Sequence, residues 1–452
     1  MLTLNIHSQN YIIETPLTGL NQPVAFDFIP STPNVIVTHK LSTASIYNLS
    51  TNTLVSTFWT FTDSLNSGFE RGVLGVTVDP NYASNNYIYV YYIHSNPPNS
   101  NTNQRSRVVG FTNAGNLGTN PTLIFDYLLG TIAGNHVGGN IHFGRDGKLY
   151  ISLGETAVSS NSQLLTNPRG KLLRVNSDGT IPTDNPYYDD GNPATGNDDR
   201  IWIWGCRNSF DFCVSPINDS IYVSENGANT FDEVNFCKKG RNYGWPNCEG
   251  YCSPYNPAYK NPMHVWGSPL PAVTGIMVYN APQMPWLIGK LLVSDNDNGR
   301  IYQCDLNGTL DSVVNRTQIF DLDGLTTLKQ GTDGFIYAMN GGYTATGKIY
   351  RIRPDPAGIN NNNFPVTFSL GQNYPNPFNP KTIINYELRV TSYVQLKIFN
   401  AQGKEINILV NQKQNAGSYE TEWDAANFPS GIYFYRLEAN GTSIEKKMVL
   451  IK

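Results

Sequence analysis

Charged residues and long apolar runs are both scarce in this chain of 452 residues. Asp, Glu, Lys and Arg make up 15% of the sequence, against about 25% in an average globular protein. This scarcity argues against coiled coils and long solvated helices, because both need charged faces. The net charge of −4 gives no basic field for nucleic acid or an anionic membrane. No apolar run reaches the roughly 18 residues that a membrane-spanning helix needs, so we expect neither a nucleic-acid partner nor a membrane span.

The short signatures of several common catalytic sites are missing too. The six cysteines form no CxxC pair, which disfavours a zinc site. No GxGxxG motif opens a helix after a strand, and no GxxxxGK[ST], HExxH or GxSxG motif occurs. These absences argue against a nicotinamide-binding Rossmann fold, a phosphate loop, a zinc peptidase and a serine hydrolase.

Glycine, proline and tyrosine are plentiful instead, with 40, 28 and 27 residues, which favours short strands joined by tight turns. One pattern recurs six times: a turn, a β-rich run that often contains Ile-Tyr or Leu-Tyr, a polar loop and a second β-run. The copies begin at Thr32, Asn85, Gly144, Asn218, Gly289 and Gly331. Such repeats, without helical periodicity between them, are typical of propeller blades of about four strands. Residues 1–354 are therefore predicted to form a six-bladed β-propeller.

A different pattern follows the repeats. Residues 355–366 are rich in Asn, Pro and Gly and are predicted to form a linker. Beyond them, TIINYEL, SYVQLKIFN, GSYETEWDA and GIYFYRLEA alternate apolar and polar residues. This alternation predicts a small C-terminal β-sandwich over residues 367–452, so the whole chain is predicted to be all-β.

Loops that converge on the central channel carry the functional groups of a propeller. In the stretch GNHVGGNIHFGRDGKLYISLGE, His136 lies in a glycine-rich loop just before a strand. Its imidazole could accept a proton near neutral pH, or it could be a structural turn histidine. Glu155, at the end of the same stretch, could bind a ligand or cap a loop.

Two further stretches contain candidate residues for a ligand-binding or metal site. IWIWGCRNSF places Arg207 and Asn208 after an apolar strand, where the arginine could bind a planar polar ligand or form a structural salt bridge. SENGANTFDEVNF is an oxygen-rich loop. It could bind a hard cation such as calcium through carbonyls and carboxylates, or form Asx-rich turns without a metal.

Taken in order over most of residues 15–353, these stretches resemble the glucose/sorbosone dehydrogenase family, the soluble quinoprotein sugar dehydrogenases. The similar segments are FERGVLGVTVDPNYASNNYIYVYY, NHVGGNIHFGRDGKLYISLGE, GKLLRVNSDGTIPTDNPYY, IWIWGCRNSF, ENGANTFDEVNF and NYGWPNCEG. Each motif alone is weak, but their common order along the chain is specific.

This resemblance implies a propeller that holds pyrroloquinoline quinone (PQQ) and calcium at its mouth and oxidises a sugar or a related aldehyde or alcohol. His136 falls at the family's general base. Arg207 falls where the family contacts the quinone, and we expect it to be both catalytic and cofactor-binding. Asn208 and Glu70 are expected to bind the cofactor as well, Glu70 standing at an early glutamine position of the family.

Gly227 and Ala228 fall where backbone carbonyls of the family coordinate the cofactor's calcium. The basic positions differ from the family's pattern. Well-studied members hold the cofactor's carboxylates with a lysine in the fifth blade and paired arginines in the sixth. Here the fifth-blade loop SDNDNG precedes Arg300, and the sixth-blade loop DGLTTLKQG contains Lys329 as its basic residue.

Two other functions therefore stay open. The chain could be a non-catalytic propeller that binds glycan or protein at the cell surface, because basic cofactor partners are missing and Tyr and Asn are abundant. It could also be a calcium-dependent, lactonase-like hydrolase, with Glu70, Glu155 and Glu225 as carboxylate ligands at the channel.

The C-terminal segment resembles a type IX secretion sorting domain. The specific parts are YPNPFNP (Tyr374–Pro380) and the terminal KKMVLIK. This resemblance implies export from a Gram-negative cell to its surface or the extracellular space, with the tail recognised by the secretion machinery. The N-terminus MLTLNIHSQN has no basic leader or apolar h-region, so we expect the signal peptide that export implies to be absent from this sequence.

Overall fold

A computed structural model describes residues 11–342, 346–355, 368–388, 392–415, 417–439 and 442–452. The chain divides into two compact units, Met1–Gly358 and Ile359–Lys452, which are described separately. The division falls inside the segment predicted as a linker. Residues 356–366 of that segment lie outside the described residues, so its bounds stay a prediction.

The first unit consists of short strands with one α-helical turn, α1 (Tyr82–Asn85), and three 3₁₀ turns. Its strands are β1 (Tyr11–Leu20), β2 (Pro23–Phe28), β3 (Asn34–His39), β4 (Thr43–Asn48), β5 (Thr53–Thr60), β6 (Val73–Val78), β7 (Tyr87–Ser95), β8 (Gln104–Ala114), β9 (Leu117–Gly130), β10 (Ile141–Phe143), β11 (Leu149–Leu153), β12 (Lys171–Val175), β13 (Ile201–Trp204), β14 (Ser209–Val214), β15 (Ile221–Glu225), β16 (Asp232–Cys237), β17 (His264–Trp266), β18 (Val273–Val278), β19 (Leu291–Asp295), β20 (Arg300–Leu306), β21 (Val313–Asp321), β22 (Leu325–Gln330), β23 (Ile336–Asn340) and β24 (Gly347–Pro354).

These described strands form six four-stranded antiparallel sheets. Five are consecutive meanders: β2–β5, β6–β9, β10–β13, β14–β17 and β18–β21. The first strands of neighbouring sheets contact one another around a closed ring, from β2 through β6, β10, β14, β18 and β22 back to β2. The predicted six-bladed β-propeller is therefore confirmed.

The ring is closed by the two ends of the unit. The sixth sheet has the order β1-β24-β23-β22, so its outermost strand comes from the start of the chain. The register pairs Tyr11 with Pro354 and Leu20 with Gly347. Glu14 of β1 accepts hydrogen bonds from Arg351 at 2.6 Å and from Arg353 at 2.7 Å. The sixth blade is thereby built from both ends of the unit, and this pairing closes the ring.

The second strands of four blades are buried along their whole length. LYISL, IYVSE, LLVSD and IYAMN, which are β11, β15, β19 and β23, are buried at every position. Neighbouring blades cover both faces of these strands, and strands covered on both faces have nearly continuous apolar sequences. The Leu-Tyr and Ile-Tyr runs at Leu149, Ile221 and Ile336 therefore lie in inner strands. Those at Ile46 and Ile301 lie in the third strands β4 and β20.

The second unit is the predicted β-sandwich. Its strands are β25 (Phe368–Leu370), β26 (Lys381–Leu388), β27 (Ser392–Asn400), β28 (Glu405–Gln414), β29 (Gly417–Asp424), β30 (Gly431–Ala439) and β31 (Thr442–Leu450). They form the sheets β25-β26-β29 and β28-β27-β30-β31. Trp423, Ile384, Leu396 and Tyr435 belong to one buried apolar cluster. No helix in the described parts of either unit has the length and apolar character to cross a bilayer.

Candidate functional site

One face of the propeller holds a cavity of about 220 Å³. In an antiparallel blade, the start of the first strand and the end of the second strand lie at the same end. The loops at these positions in successive blades therefore converge, and they supply most of the lining. The polar residues that line the cavity are Lys40, Glu70, Asn140, Asn208, Asn226, Thr274, Asn296 and Thr326.

His136, in the loop between β9 and β10, has an unusual backbone. Its φ angle is 55°, in the left-handed region that non-glycine residues seldom adopt. The backbone is held on both sides: its N–H donates to Glu70 Oε2 at 2.6 Å, and its carbonyl accepts from the N–H of Thr156 at 2.9 Å. A conformation of this kind persists where its surroundings fix it, often at functional sites.

The His136 ring lies between a carboxylate and a guanidinium. Its Nδ1 contacts Glu155 Oε1, and its Nε2 lies 2.9 Å from Nη2 of Arg207. A guanidinium can only donate, so Nε2 must be the accepting nitrogen. Nδ1 therefore carries the proton and donates it to Glu155. We assign this tautomer from the hydrogen bonds. It presents a basic nitrogen, Nε2, away from the buried Glu155.

Arg207 is itself held by neighbours from the next blade. Its Nη1 donates to the carbonyl of Asn226 at 2.9 Å, and its guanidinium lies over the Trp245 ring, 5.5 Å from the centroid. The backbone N–H groups of Arg207 and Asn208 both donate to Glu225 Oε1, at 2.6 and 2.5 Å. Burial raises the pKa of Glu225 to about 7, although the hydrogen bond from Ser209 opposes that rise.

The residues predicted from the sequence lie together, but in two adjoining pockets. Glu70 and Asn208 line the larger cavity, and Asn208 Oδ1 accepts the N–H of Gly138 at 3.2 Å. Arg207 lines a smaller pocket of about 10 Å³, which shares Asn226 with the larger cavity. His136 joins the two sets, because it contacts both Glu70 and Arg207.

The loop of Gly227 and Ala228 directs its N–H groups at two carboxylates. Gly227 donates to Asp232 Oδ1 at 2.9 Å, and Ala228 donates to Glu249 Oε1 at 2.7 Å. Within the described residues, neither carbonyl oxygen accepts a hydrogen bond. Both predicted calcium ligands thus have unengaged carbonyl oxygens, and Gly227 lines the smaller pocket.

The sequence interpretation missed Lys40, which lines the larger cavity from the loop after β3. Its Nζ donates to the carbonyl of Ser67 at 2.8 Å, and burial lowers its pKa, with Arg71 lowering it further. Lys329, which the sequence interpretation placed in a loop, lies in strand β22 and forms an ion pair with Asp27 at 3.2 Å. A lone lysine after a strand has no distinctive sequence signal, so the channel-facing position of Lys40 needed the fold.

Within the described residues, the three carboxylates of the lactonase interpretation are not spaced closely enough to share one metal ion. Glu155 and Glu225 are buried beneath His136 and Arg207, where both already accept hydrogen bonds. Among the described lining residues, Glu70 is the one carboxylate at the larger cavity. The geometry therefore offers no carboxylate set there for a hydrolytic metal.

Two parts of the chain match known protein families. A sequence model of the family described as Glucose / Sorbosone dehydrogenase matches residues 20–351, and one of the Secretion system C-terminal sorting domain matches residues 372–452. The aldose sugar dehydrogenase YliI of Escherichia coli is 27% identical over 304 residues, which cover 63% of this chain and 78% of that protein.

Two further relatives are similar. Quinoprotein glucose dehydrogenase B of Acinetobacter calcoaceticus is 29% identical over 278 residues, covering 56% of each chain. The solved structure of the PQQ-bound aldose sugar dehydrogenase of Streptomyces coelicolor superposes with a TM-score of 0.64 at 23% identity. That superposition covers 77% of this chain and 100% of the other; at this identity it supports the fold alone.

Proposed function

The chain belongs to the glucose/sorbosone dehydrogenase family, and from this premise we propose that it oxidises a sugar, or a related aldehyde or alcohol, with PQQ and calcium bound at the cavity face. The observation that supports the proposal is the hydrogen-bonded series Glu155–His136–Arg207 beside the cavity. It presents a base next to a pocket lined by amides and one ammonium group.

The donor set fits a flat, polar, anionic cofactor. Asn140, Asn208, Asn226 and Asn296 line the cavity. The amide nitrogens of Asn140, Asn226 and Asn296 each donate one hydrogen bond within the protein and retain a second N–H for a ligand. Lys40 offers an ammonium group for a carboxylate. When bound, PQQ would accept the hydride that leaves the substrate. The free carbonyls of Gly227 and Ala228 would be calcium ligands, because calcium prefers oxygen donors.

In this proposal His136 Nε2 takes the proton of the substrate hydroxyl. Glu155 holds Nδ1–H in place and stabilises the imidazolium that results, since a buried carboxylate interacts strongly with a neighbouring cation. Arg207 must release Nε2 before that atom can accept the proton. Its second anchor, the carbonyl of Asn226, keeps the guanidinium near the reacting group after release.

Reconstitution tests the proposal. Purified chain is titrated with PQQ in the presence of calcium chloride, and reduction of an artificial dye is then followed with a panel of aldoses. Saturable PQQ binding with aldose-dependent dye reduction is the expected result. Failure to bind PQQ at micromolar concentration, together with absence of dye reduction, would refute it.

A second candidate function is a non-catalytic propeller that binds glycan or protein. Lys40 is the one cation among the described lining residues, whereas PQQ carries three carboxylates. A glycan array probed without PQQ separates the two candidates. Glycan binding without dye reduction would favour the second, and a negative array with dye reduction would exclude it.

The C-terminal match indicates export by a type IX secretion system to the cell surface or the extracellular space. We infer that the secretion machinery is the partner of the second unit. A chain that ends before residue 359 is expected to remain inside the producing cell, with its propeller still closed by β1 and β24.

A further inference from the structure

A long segment without strands joins β12 to β13 and contains three aspartates close together. Asp189 and Asp190 lie near its middle, and Asp199 lies just before β13. One carboxylate oxygen from each lies within 4.8 Å of the others. In the part of the chain that the structure describes, this is the one group of three acidic, histidine or cysteine side chains spaced closely enough to share a metal ion.

Asp199 distinguishes this group from an ordinary acidic surface. Its side chain is buried, with 0% exposure, and its Oδ1 accepts the N–H of Asp189 at 2.6 Å. Its Oδ2 is buried without a partner. A buried carboxylate oxygen with no donor is unfavourable, so this oxygen points to a ligand that completes the site.

The neighbouring Asp198, unlike Asp199, has a hydrogen-bond donor for each carboxylate oxygen. Asp198 is equally buried and accepts two hydrogen bonds from Arg200, at 2.8 and 2.6 Å. Arg174 is engaged by Asp146 and Asp184. The arginines of this region are therefore committed to other carboxylates, and none of them forms an ion pair with Asp199.

The two exposed aspartates are held in place by their own loop. Asp189 Oδ2 accepts the N–H of Asn197 at 2.9 Å. Asp190 accepts the N–H of Asn192 at 2.8 Å and the hydroxyl of Thr195 at 2.5 Å. A carboxylate oxygen that accepts one hydrogen bond retains a second lone pair. Hydrogen bonds of the loop thus hold these carboxylates beside Asp199, with lone pairs left for a further ligand.

We propose that Asp189, Asp190 and Asp199 bind a calcium ion that fixes the segment between β12 and β13. All three ligands are oxygens, which suit calcium, whereas zinc prefers nitrogen and sulfur. The partial exposure of the site leaves room for water molecules to complete the six to eight ligands that calcium takes. This site is separate from Gly227 and Ala228 and does not depend on the proposed enzymatic function.

Hydrogen–deuterium exchange with mass spectrometry gives a local measurement on the full chain without PQQ. Peptides covering residues 186–200 are compared in EDTA, in 10 mM calcium chloride and in 10 mM magnesium chloride. Calcium is expected to slow amide exchange in these peptides at least tenfold, and magnesium to slow it much less. Equal protection by both ions would overturn the assignment to calcium.

Two variants and a matched control identify the ligands. Asp199→Asn keeps the acceptor for the Asp189 N–H and should abolish calcium protection of residues 186–200. Asp189→Asn should also abolish calcium protection of residues 186–200. Because Asp189 is exposed, this variant keeps the test valid if Asp199→Asn folds poorly. Asp178→Asn removes an exposed aspartate of the same segment and should retain full protection. No calcium protection in the wild type, or undiminished protection in both ligand variants, would overturn the site.

Discussion

Nη2 of Arg207 lies 2.9 Å from Nε2 of His136, the nitrogen that is proposed to receive a substrate proton. The arginine therefore fixes the histidine tautomer and at the same time occupies its basic position. Glu155 completes the arrangement at Nδ1. The tautomer of the proposed base is thus already set, but its Nε2 is blocked by Arg207. A bound substrate would have to break the hydrogen bond between Arg207 and His136 to reach that nitrogen.

Replacing His136 tests the proposed base. His136→Ala is expected to lower kcat by about 10²–10⁴-fold, the usual contribution of a positioned general base, while PQQ affinity is largely kept. Dye-reduction kinetics and a PQQ titration measure the two effects. His142 is a matched control because it also contacts a carboxylate, Asp211, at 2.9 Å. His142→Gln should retain turnover; an equal loss in both variants would contradict the assignment.

Glu155 is proposed as a positioning residue. Glu155→Gln removes the charge that stabilises a protonated His136 but keeps the size of the side chain. We expect kcat to fall at least tenfold with KM nearly unchanged, because the lost interaction strengthens only in the transition state. The acidic limb of the kcat/KM profile should move to lower pH. A change in KM alone, with an unmoved pH profile, would show a merely structural role.

Lys40 is expected to hold a carboxylate of the cofactor. A charge-assisted hydrogen bond contributes about 1.5–3 kcal/mol, so Lys40→Met should weaken PQQ binding by about 10–100-fold. Tryptophan fluorescence quenching during a PQQ titration measures this affinity. Lys329→Met is the control, because Lys329 pairs with Asp27. Equal affinities for PQQ in the wild type and Lys40→Met would rule out this contact.

Two glutamates near the loop of Gly227 should give opposite pH dependences of stability. Burial raises the pKa of Glu233 from 4.5 to about 7, which corresponds to about 3 kcal/mol. The native state therefore binds this proton more tightly than the unfolded state, and the free energy of unfolding falls as pH rises from 4.5 to 7. Relative to the wild type, Glu233→Gln should gain stability across this range.

Glu249 has the opposite shift. Burial alone would raise its pKa, but hydrogen bonds from four backbone N–H groups, those of residues 228–231, together lower it below 4.5. The stabilisation that the ionised Glu249 contributes to the folded state is present above pH 4.5 and is lost as the pH falls further. Glu249→Gln should therefore destabilise the chain at pH 7 and less so below pH 4.5. Urea unfolding across pH measures both variants; pH slopes of the same sign would contradict the account.

The blades could be predicted because their sequence signal is local. Runs such as LYISL recur, and β11 and its counterparts are buried on both faces. The closing strand β1 could not be predicted in the same way. Its partner β24 lies at the far end of the unit, and no local pattern specifies a pairing over that separation.

Some residues of the candidate site could be named from the sequence, but their contacts could not. His136, Arg207 and Asn208 stand in motifs whose order resembles the family's, and the structure brings them together. The tautomer of His136 depends on a contact between residues from different blades. The position of Lys40 depends on loop convergence, and the unpartnered oxygen of Asp199 depends on burial. These three features depend on contacts between distant parts of the chain, so no short sequence motif predicts them.

The most direct test of the central proposal is a single-turnover experiment. Chain loaded with PQQ and calcium is mixed anaerobically with an aldose, and the absorbance of the bound quinone is followed. We expect the quinone to be reduced in the wild type, and at a rate at least a hundredfold lower in His136→Ala. Tightly bound quinone that stays oxidised with every aldose tested, or that is reduced equally fast in both proteins, would contradict it.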